Sequence, residues 1–151
     1  MKKNLLLFLS LLISTIAIAQ TTWTGGGANT NWNNTDNWST NLVPTASDDV
    51  IIPTGFTVTL NVAGSVKSIN VQGTAAFDIN TNLTFTEPST FGVNTIVNWN
   101  AGTLNSTGST LTNLGTISTA GSNVFLAVGT ILTNNGNINF TGVGDIFIST
   151  N

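Results

Sequence analysis

A repeat of about twenty residues constrains the fold of this chain more than any other feature. The stretch LTNLGTIST at 111–119 recurs as LTNNGNINF at 132–140. Chains with a fixed period of this length typically fold as solenoids, in which each repeat forms one turn and packs on its neighbours. The repeat therefore predicts a stack of similar turns.

The offset that carries Leu111 onto Leu132 also aligns residues of like character elsewhere in the chain. The predicted apolar columns are Leu83, Leu104, Phe125 and Ile146; Ile96, Ile117 and Ile138; and Leu111 with Leu132. Asn113 and Asn134 form a polar column, and stacked amides of this kind can hydrogen-bond as a ladder. Gly115 and Gly136 follow these asparagines, and we expect both glycines to turn the chain with a positive φ angle.

Within each repeat, apolar residues alternate with polar ones, as in the run TVTLN at 57–61. Alternation over short runs bounded by Gly and Asn predicts β-strands. Near the start the offset is two residues shorter, and it aligns Val50 with Ile69, Ile52 with Val71, Val58 with Phe77, and Leu60 with Ile79. The sequence thus predicts an all-β fold, a single-stranded parallel β-helix (β-solenoid) with turns of about 19–21 residues.

Residues 1–19 have the features of a signal peptide. Lys2 and Lys3 precede an apolar run that is shorter than a spanning helix prefers, and Ala17-Ile18-Ala19 is a small-x-small cleavage site. We therefore expect the protein to be secreted, extracellular or on the outer cell surface, without membrane insertion after signal removal. The chain has no cysteine, so the stability of the exported protein would come from stacking and not from disulfides.

Residues 20–49 lack the period and contain three of the four tryptophans. A terminal turn of a solenoid exposes its core and its unpaired backbone, so we predict that this segment is an irregular Trp-rich N-terminal cap. Residues 50–151 would then form the β-helix turns. We expect them to be truncated at the C-terminus, because no capping sequence follows the strand-like run at 146–148, and self-association through exposed solenoid ends is a corollary.

Charge limits the partners that this chain can have. With Lys2 and Lys3 removed, Lys67 alone remains against six carboxylates. An acidic surface argues against nucleic acid as a partner. Lys67 itself is interpreted as a solubilising charge at an edge.

One segment also resembles a known family. The stretch WNNTDNWSTNLVPTASDDVIIPTGFTVTL at 32–60 is similar to the opening of the extracellular eight-glycine domain family; the matching positions are Trp32, Trp38, Pro44, Asp48, Asp49, Val50, Ile52, Pro53, Gly55 and Val58. Downstream, the repeated units of leucine, threonine, asparagine and glycine resemble bacterial secreted surface proteins of the adhesin type with filamentous-haemagglutinin-like β-helices. Both resemblances imply an extracellular β-solenoid used for adhesion or glycan contact.

The residue types argue against catalysis. After signal removal the chain has no His, Cys, Tyr or Arg, which removes the usual pairs of nucleophile and base. Polysaccharide lyases with a β-helix fold typically need a basic residue, and only Lys67 remains for that role. Asp48 and Asp49 are neighbours, so in an extended chain they point to opposite sides and cannot face each other across a substrate. We predict that the chain is not an enzyme.

Two groups of side chains are candidates for binding. Asp48 and Asp49 offer oxygen ligands of the kind that Ca²⁺ prefers, but two carboxylates are too few to specify a site, and a solvated turn at the start of the first strand is the preferred interpretation. No other cofactor is expected. Trp32, Trp38 and Trp99 have flat aromatic faces that suit sugar rings, and the alternative is that they fill the cap and the core.

The leading functional hypothesis is a non-catalytic structural or adhesive module of a secreted or cell-surface bacterial protein. Its partners would be glycans or other components of the cell surface. A carbohydrate-binding module that uses the tryptophans is the main alternative. Less favoured are a fragment of a polysaccharide-degrading β-helix enzyme and an ice-binding solenoid. The Thr-x-Thr pairs Thr57/Thr59 and Thr84/Thr86 suggest ice binding, but the column of Thr95, Thr116 and Asn137 loses its threonine.

Overall fold

The computed structural model describes residues 19–120 and 122–149. Within these ranges the chain is an all-β solenoid of about five turns, which confirms the predicted fold. Each turn contributes one strand to each of three sheets, and all pairs of named strands are parallel. The predicted signal peptide falls almost wholly outside the described residues.

We name the three sheets face 1, face 2 and face 3. Face 1 contains β1 (Ala19–Thr22), β2 (Asp48–Ile52), β5 (Ser68–Val71), β8 (Ser89–Phe91), β11 (Thr110–Asn113) and β14 (Ile131–Asn134). Face 2 contains β3 (Thr57–Leu60), β6 (Ala76–Ile79), β9 (Ile96–Trp99), β12 (Thr116–Thr119) and β15 (Asn137–Phe140). Face 3 contains β4 (Gly64–Val66), β7 (Leu83–Phe85), β10 (Gly102–Asn105), β13 (Val124–Leu126) and β16 (Ile146–Ile148).

Alternation along each strand builds the core. In β3, Val58 and Leu60 are fully buried, whereas Thr57 and Thr59 point outward. The inward side chains stack on their equivalents in the next turn, where Val58 pairs with Phe77 and Leu60 with Ile79. The same step aligns β2 with β5, so the register predicted for the first turns is confirmed.

The later turns do not keep a constant step, and the predicted column of Ile96, Ile117 and Ile138 is wrong at its first member. Ile117 pairs with Val97 in the turn before it and with Ile138 in the turn after it. Val97 is fully buried, while Ile96 points outward and is 51% exposed. A slip of one residue moves a side chain to the opposite side of a sheet, so one residue fewer in a corner changes which of the two neighbours is inside.

On face 3 the step lengthens instead. Leu104 pairs with Leu83 as predicted, but its partner in the following turn is Leu126. Phe125 therefore faces outward and is not a member of the predicted column, and it pairs with the outward Phe147. The step from Leu104 to Leu126 is one residue longer than the longest step that the sequence predicted.

Asn113 and Asn134 form the predicted ladder, because Asn113 Nδ2 donates to Asn134 Oδ1 at 2.7 Å. The glycines after them behave differently from the prediction. Gly115 and Gly136 are not among the residues with positive φ. Their backbones are packed instead: a Cβ on Gly115 would lie 2.6 Å from the carbonyl oxygen of Thr95, and one on Gly136 would collide with the carbonyl of Gly115. Close stacking of successive corners, and not φ, explains these two glycines.

Residues 20–49 lie against the first turn of the solenoid. β1 pairs with β2, which extends face 1 by one strand that the sequence did not indicate. Beyond it, the backbone N–H of Trp32 donates to the carbonyl of Thr59 at 2.9 Å, and a short 3-10 helix spans Thr35–Asn37. The indole of Trp32 also lies over the ring of Phe77, with centroids 6.0 Å apart. Because Phe77 lies on β6 in the second turn, this segment packs on inward side chains beyond the first turn as well.

Candidate functional site

The three tryptophans proposed as a sugar platform lie in the core. Trp32 and Trp99 are fully buried and Trp38 is 1% exposed. The rings of Trp32 and Trp38 meet edge to face at 4.7 Å, and Trp38 Nε1 donates to the carbonyl of Trp32 at 2.8 Å. Trp99 stacks on Ile79 within face 2. The structure thus assigns these indoles to the core and leaves none of their faces open to a sugar ring.

Asp48 and Asp49 have separate structural partners. Asp48 Oδ2 accepts hydrogen bonds from the backbone N–H and the hydroxyl of Thr45, at 2.7 and 2.8 Å, and so closes the turn before β2. Asp49 Oδ2 forms an ion pair with Lys67 Nζ at 2.8 Å, and its Oδ1 accepts from the hydroxyl of Ser68 at 2.6 Å. The carboxylates therefore point to different neighbours, as the alternation of a strand requires.

The ion pair changes the protonation of both partners. The hydrogen bond from Lys67, together with that from Ser68, lowers the pKa of the Asp49 carboxyl. The same hydrogen bond raises the pKa of Lys67. Both groups are thus held in their charged forms across the boundary between two turns, which gives Lys67 a structural partner instead of a purely solvated position.

The described acids do not converge on a metal site. In residues 19–120 and 122–149, no three His, Cys, Asp or Glu side chains lie close enough together to hold a metal ion. Asp78, for example, lies on face 2, where its Oδ1 accepts from Asn98 Nδ2 at 2.6 Å. The suggested Ca²⁺ site would therefore depend on Asp48 and Asp49 with backbone oxygens alone.

A cleft of about 320 Å³ lies beside the first turn, at a place that the sequence reasoning missed. One wall is the glycine-rich segment 24–30 that follows β1, and the other is the corner at 55–57 between β2 and β3. Its lining comprises Trp23, Gly25, Gly27, Ala28, Asn29, Thr30, Gly55, Phe56 and Thr57. The sequence carried a signal for it, because three consecutive glycines at 25–27 lie just after a tryptophan and belong to no repeat.

Glycine allows the two walls to approach each other. Gly25 and Gly55 have φ angles of +65° and +83°, a region that other residues rarely adopt. A Cβ on Gly25 would lie only 2.8 Å from Cε1 of Phe56. The ring of Phe56 therefore rests against the bare backbone of the opposite wall.

A buried side chain holds the glycine-rich wall in place. Asn37 is fully buried, and its Oδ1 accepts from the backbone N–H of Gly27 at 2.9 Å. Its Nδ2 donates to the carbonyls of Asn29 at 2.8 Å and Asn31 at 3.1 Å. The backbone N–H of Thr24 donates to the Asn37 carbonyl at 2.7 Å. Hydrogen bonds to one residue thus fix the whole segment.

A second surface feature is an aromatic pair on face 3. Phe125 and Phe147 stack with ring centroids 5.4 Å apart and an angle of 24° between the planes. They are 41% and 44% exposed. The rings face each other along the solenoid axis, so each covers one face of the other. Stacking thus reduces the apolar area that the pair exposes to water.

Comparisons of the chain with protein-family models, with curated proteins and with solved structures found no match. No helix within the described residues has the length and apolar character that crossing a membrane requires.

Proposed function

We propose that this chain is a non-catalytic structural and adhesive module of a secreted or cell-surface bacterial protein. The observation that carries the proposal is the set of hydrogen bonds between side chains on successive turns. They join Thr54 to Thr74 at 3.1 Å, Asn80 to Asn100 at 2.9 Å, and Asn113 to Asn134 at 2.7 Å. Ladders of this kind tie each turn to the next and favour a stiff, elongated polar surface.

The placement of the ionisable groups supports a non-catalytic role. Lys67, the base that a lyase would need, is paired with Asp49, which favours its protonated form. A general base must give up its proton near the working pH, and a raised lysine pKa opposes this. The remaining described carboxylates do not form an opposed pair across the cleft, since its lining has no charged residue.

Polysaccharide turnover tests the non-catalytic part. We expect residues 20–151 to release neither reducing ends nor unsaturated products from pectin, xylan or cellulose above a blank. Turnover that disappears in Lys67→Met and also in Lys67→Arg would contradict the proposal and favour the lyase alternative, because Lys67→Arg keeps the positive charge beside Asp49 but cannot give up its proton. Circular dichroism of both variants would verify that each remains folded.

Retention on coated beads tests the adhesive part. Beads carrying residues 20–151 should retain bacterial cell-envelope polysaccharide more strongly than beads carrying Leu104→Asp, in which a charge replaces a fully buried side chain and disrupts the stack. Equal retention by both proteins would refute the adhesive role and leave the structural role alone. Export is tested separately, by comparing the cellular location of the full chain with that of residues 20–151.

Self-association through the solenoid end is a further part of the proposal. Phe140 and Ile148 on the last described strands stack on the buried Thr119 and Leu126 but are themselves 60% and 68% exposed, and exposed strand edges tend to pair with other chains. Light scattering should show concentration-dependent association that decreases in Phe140→Asn. Association that is unchanged in this variant would refute that contact.

The structure offers little support for an ice-binding surface. Thr57 and Thr59 point outward on face 2, but their partners in the next turn are Ala76 and Asp78. An ice-binding face requires a regular array of threonines, so this function remains the least favoured. The carbohydrate-binding alternative loses the tryptophan platform, and its support comes instead from the cleft beside Trp23.

A further inference from the structure

We propose that the cleft between segment 24–30 and the corner at 55–57 binds a neutral carbohydrate. The proposal rests on the adhesive role, to which a glycan site would give a chemical basis. It concerns a set of residues different from the tryptophans that the sequence suggested.

The first argument is that the site is built before any ligand arrives. The hydrogen bonds of the buried Asn37 fix the glycine-rich wall, and the backbone of Trp23 donates to the carbonyl of Ile51 at 2.9 Å. A wall that is already ordered loses little conformational entropy on binding.

The second argument is a polar group that is left without a partner. Trp23 is 2% exposed, and its Nε1 lies 3.6 Å from the position that a Cβ would take on Gly25, at the cleft wall. Among the described residues this N–H has no hydrogen-bond acceptor, although it is not fully enclosed like those of Trp32 and Trp99. A donor that solvent still reaches at the wall of a cleft can also be reached by an acceptor on a ligand, which would take the place of water.

The third argument is the chemistry of the lining. Phe56 offers apolar surface beside the nearly buried Trp23, while Asn29 and Thr57 provide an amide and a hydroxyl. Asn29 uses its Oδ1 for two internal hydrogen bonds, which leaves its amide N–H groups for a ligand. Within the part of the chain that the structure describes, no charged residue lines the cleft, so an ionic ligand would lose solvation without gaining a counter-charge there. A neutral ring with an apolar face and several hydroxyl oxygens fits these features.

The size of the cleft limits how much of a glycan it can hold. A volume of about 320 Å³ lies at the lower end of the range for small-molecule sites. It therefore fits about one or two sugar rings, which corresponds to a chain end or a short side branch.

Titration with neutral hexasaccharides, followed by NMR and calorimetry, tests the proposal. The probes are cellohexaose, laminarihexaose and mannohexaose, with hexagalacturonate as the charged comparison. We expect at least one neutral probe to bind and to shift the indole N–H resonance of Trp23, and hexagalacturonate not to bind. Failure of all three neutral probes to bind, or equal binding of the charged one, would overturn the proposal.

A blocking variant and a matched control locate the binding. Ala28 is exposed at the cleft, so Ala28→Trp should fill the space without disturbing the core and weaken binding by about tenfold or more. Ala120 is exposed beyond β12 and outside the cleft lining, and Ala120→Trp should leave affinity unchanged. Thr57→Val, which removes one rim hydroxyl with little change in shape, should weaken binding by a smaller factor.

Binding that survives Ala28→Trp would place the sugar elsewhere and refute the site. The outcome is separable from that of the adhesive proposal. If coated beads retain cell-envelope polysaccharide equally well with Ala28→Trp, the module is adhesive through another surface and the cleft proposal fails alone.

Discussion

Replacing Val97 and Ile96 one at a time by alanine tests the register of the solenoid at a point where the prediction from sequence is wrong. Val97 is fully buried between Phe77 and Ile117 in the neighbouring turns. Ile96, its neighbour in the chain, is 51% exposed. The two substitutions therefore differ in burial while they share a strand.

The expected costs follow from the buried carbon that each change removes. Val97→Ala deletes two buried methyl groups at about 0.8 kcal/mol each, and the cavity left in the column raises the loss to about 2–3 kcal/mol. Ile96→Ala removes more carbon, but half of it is already in water, so the loss should be about 1 kcal/mol or less. If Ile96 were the inward residue, this order would be reversed.

Urea denaturation followed by far-UV circular dichroism measures both losses. Neighbouring turns of a solenoid can unfold in steps, so the midpoints should be compared alongside the fitted free energies of unfolding. A loss for Ile96→Ala that equals or exceeds the loss for Val97→Ala would refute the register of face 2.

Three further perturbations test the corners and the ion pair. Asn113→Ala should destabilise the protein by about 2–4 kcal/mol in urea titration, because the buried amide hydrogen-bonds Asn134 and the backbone of the tight corner. Asn134→Ala, at an exposed position, should cost under about 1 kcal/mol. Equal costs would contradict the assignment of the larger contribution to the buried amide. Gly115→Ala should reduce the free energy of unfolding by about 3 kcal/mol or more, because the new Cβ collides with the turn before it. At Gly108, φ is +93° and a Cβ meets open space, so Gly108→Ala should cost only about 1–2 kcal/mol of backbone strain. Thermal melts that show the opposite order would contradict the close packing at Gly115. The pKa of Asp49 is lowered from 3.8, so its ion pair stabilises the fold above that pH and the benefit is lost as the pH falls below it. As the pH falls from about 5 to about 2, the free energy of unfolding should therefore decrease less in Asp49→Asn than in the unsubstituted protein. Parallel profiles of stability against pH would refute the contribution of the ion pair.

The architecture could be predicted from the sequence because the period and the alternation both act over many residues. The repeat at 111–140 and the alternation at 57–61 together predict stacked strands. The offset between similar residues also predicts pairs in the first turns, such as Val50 with Ile69. Because each turn packs chiefly on its neighbours, the sequence pattern of one repeat is enough to predict how the turns stack.

The details that failed depend on single residues in the corners. A corner that is one residue shorter or longer places Val97 inside instead of Ile96, and Leu126 inside instead of Phe125. Neither residue type distinguishes the alternatives, because all four are apolar and suit a strand. Only the geometry of the corners decides the register.

The glycines at 25–27 mark an unusual segment, but the sequence does not show what that segment packs against. Segment 24–30 meets the corner at 55–57 only once β1 pairs with β2, and that pairing spans a non-periodic insertion. Asn37, which fixes the cleft wall, is one of many asparagines in the segment, and nothing in its type marks it as buried. Likewise, burial of Trp32 and Trp99 depends on packing between turns that residue type does not reveal.

The most direct test of the central claim, a parallel stack of turns, is a set of spin–spin distances along one column of face 2. The chain has no cysteine, so pairs of cysteines can be introduced for labelling without removing native ones. One outward column of face 2 starts at Thr57 and contains Ile96, Thr116 and Asn137, which lie two, three and four turns after Thr57. With a rise of about 4.8 Å per turn, the backbone distance from Thr57 should grow to about 10, 14 and 19 Å, and the measured distances should rise in the same even steps. Distances that do not increase evenly with the number of turns would contradict the solenoid.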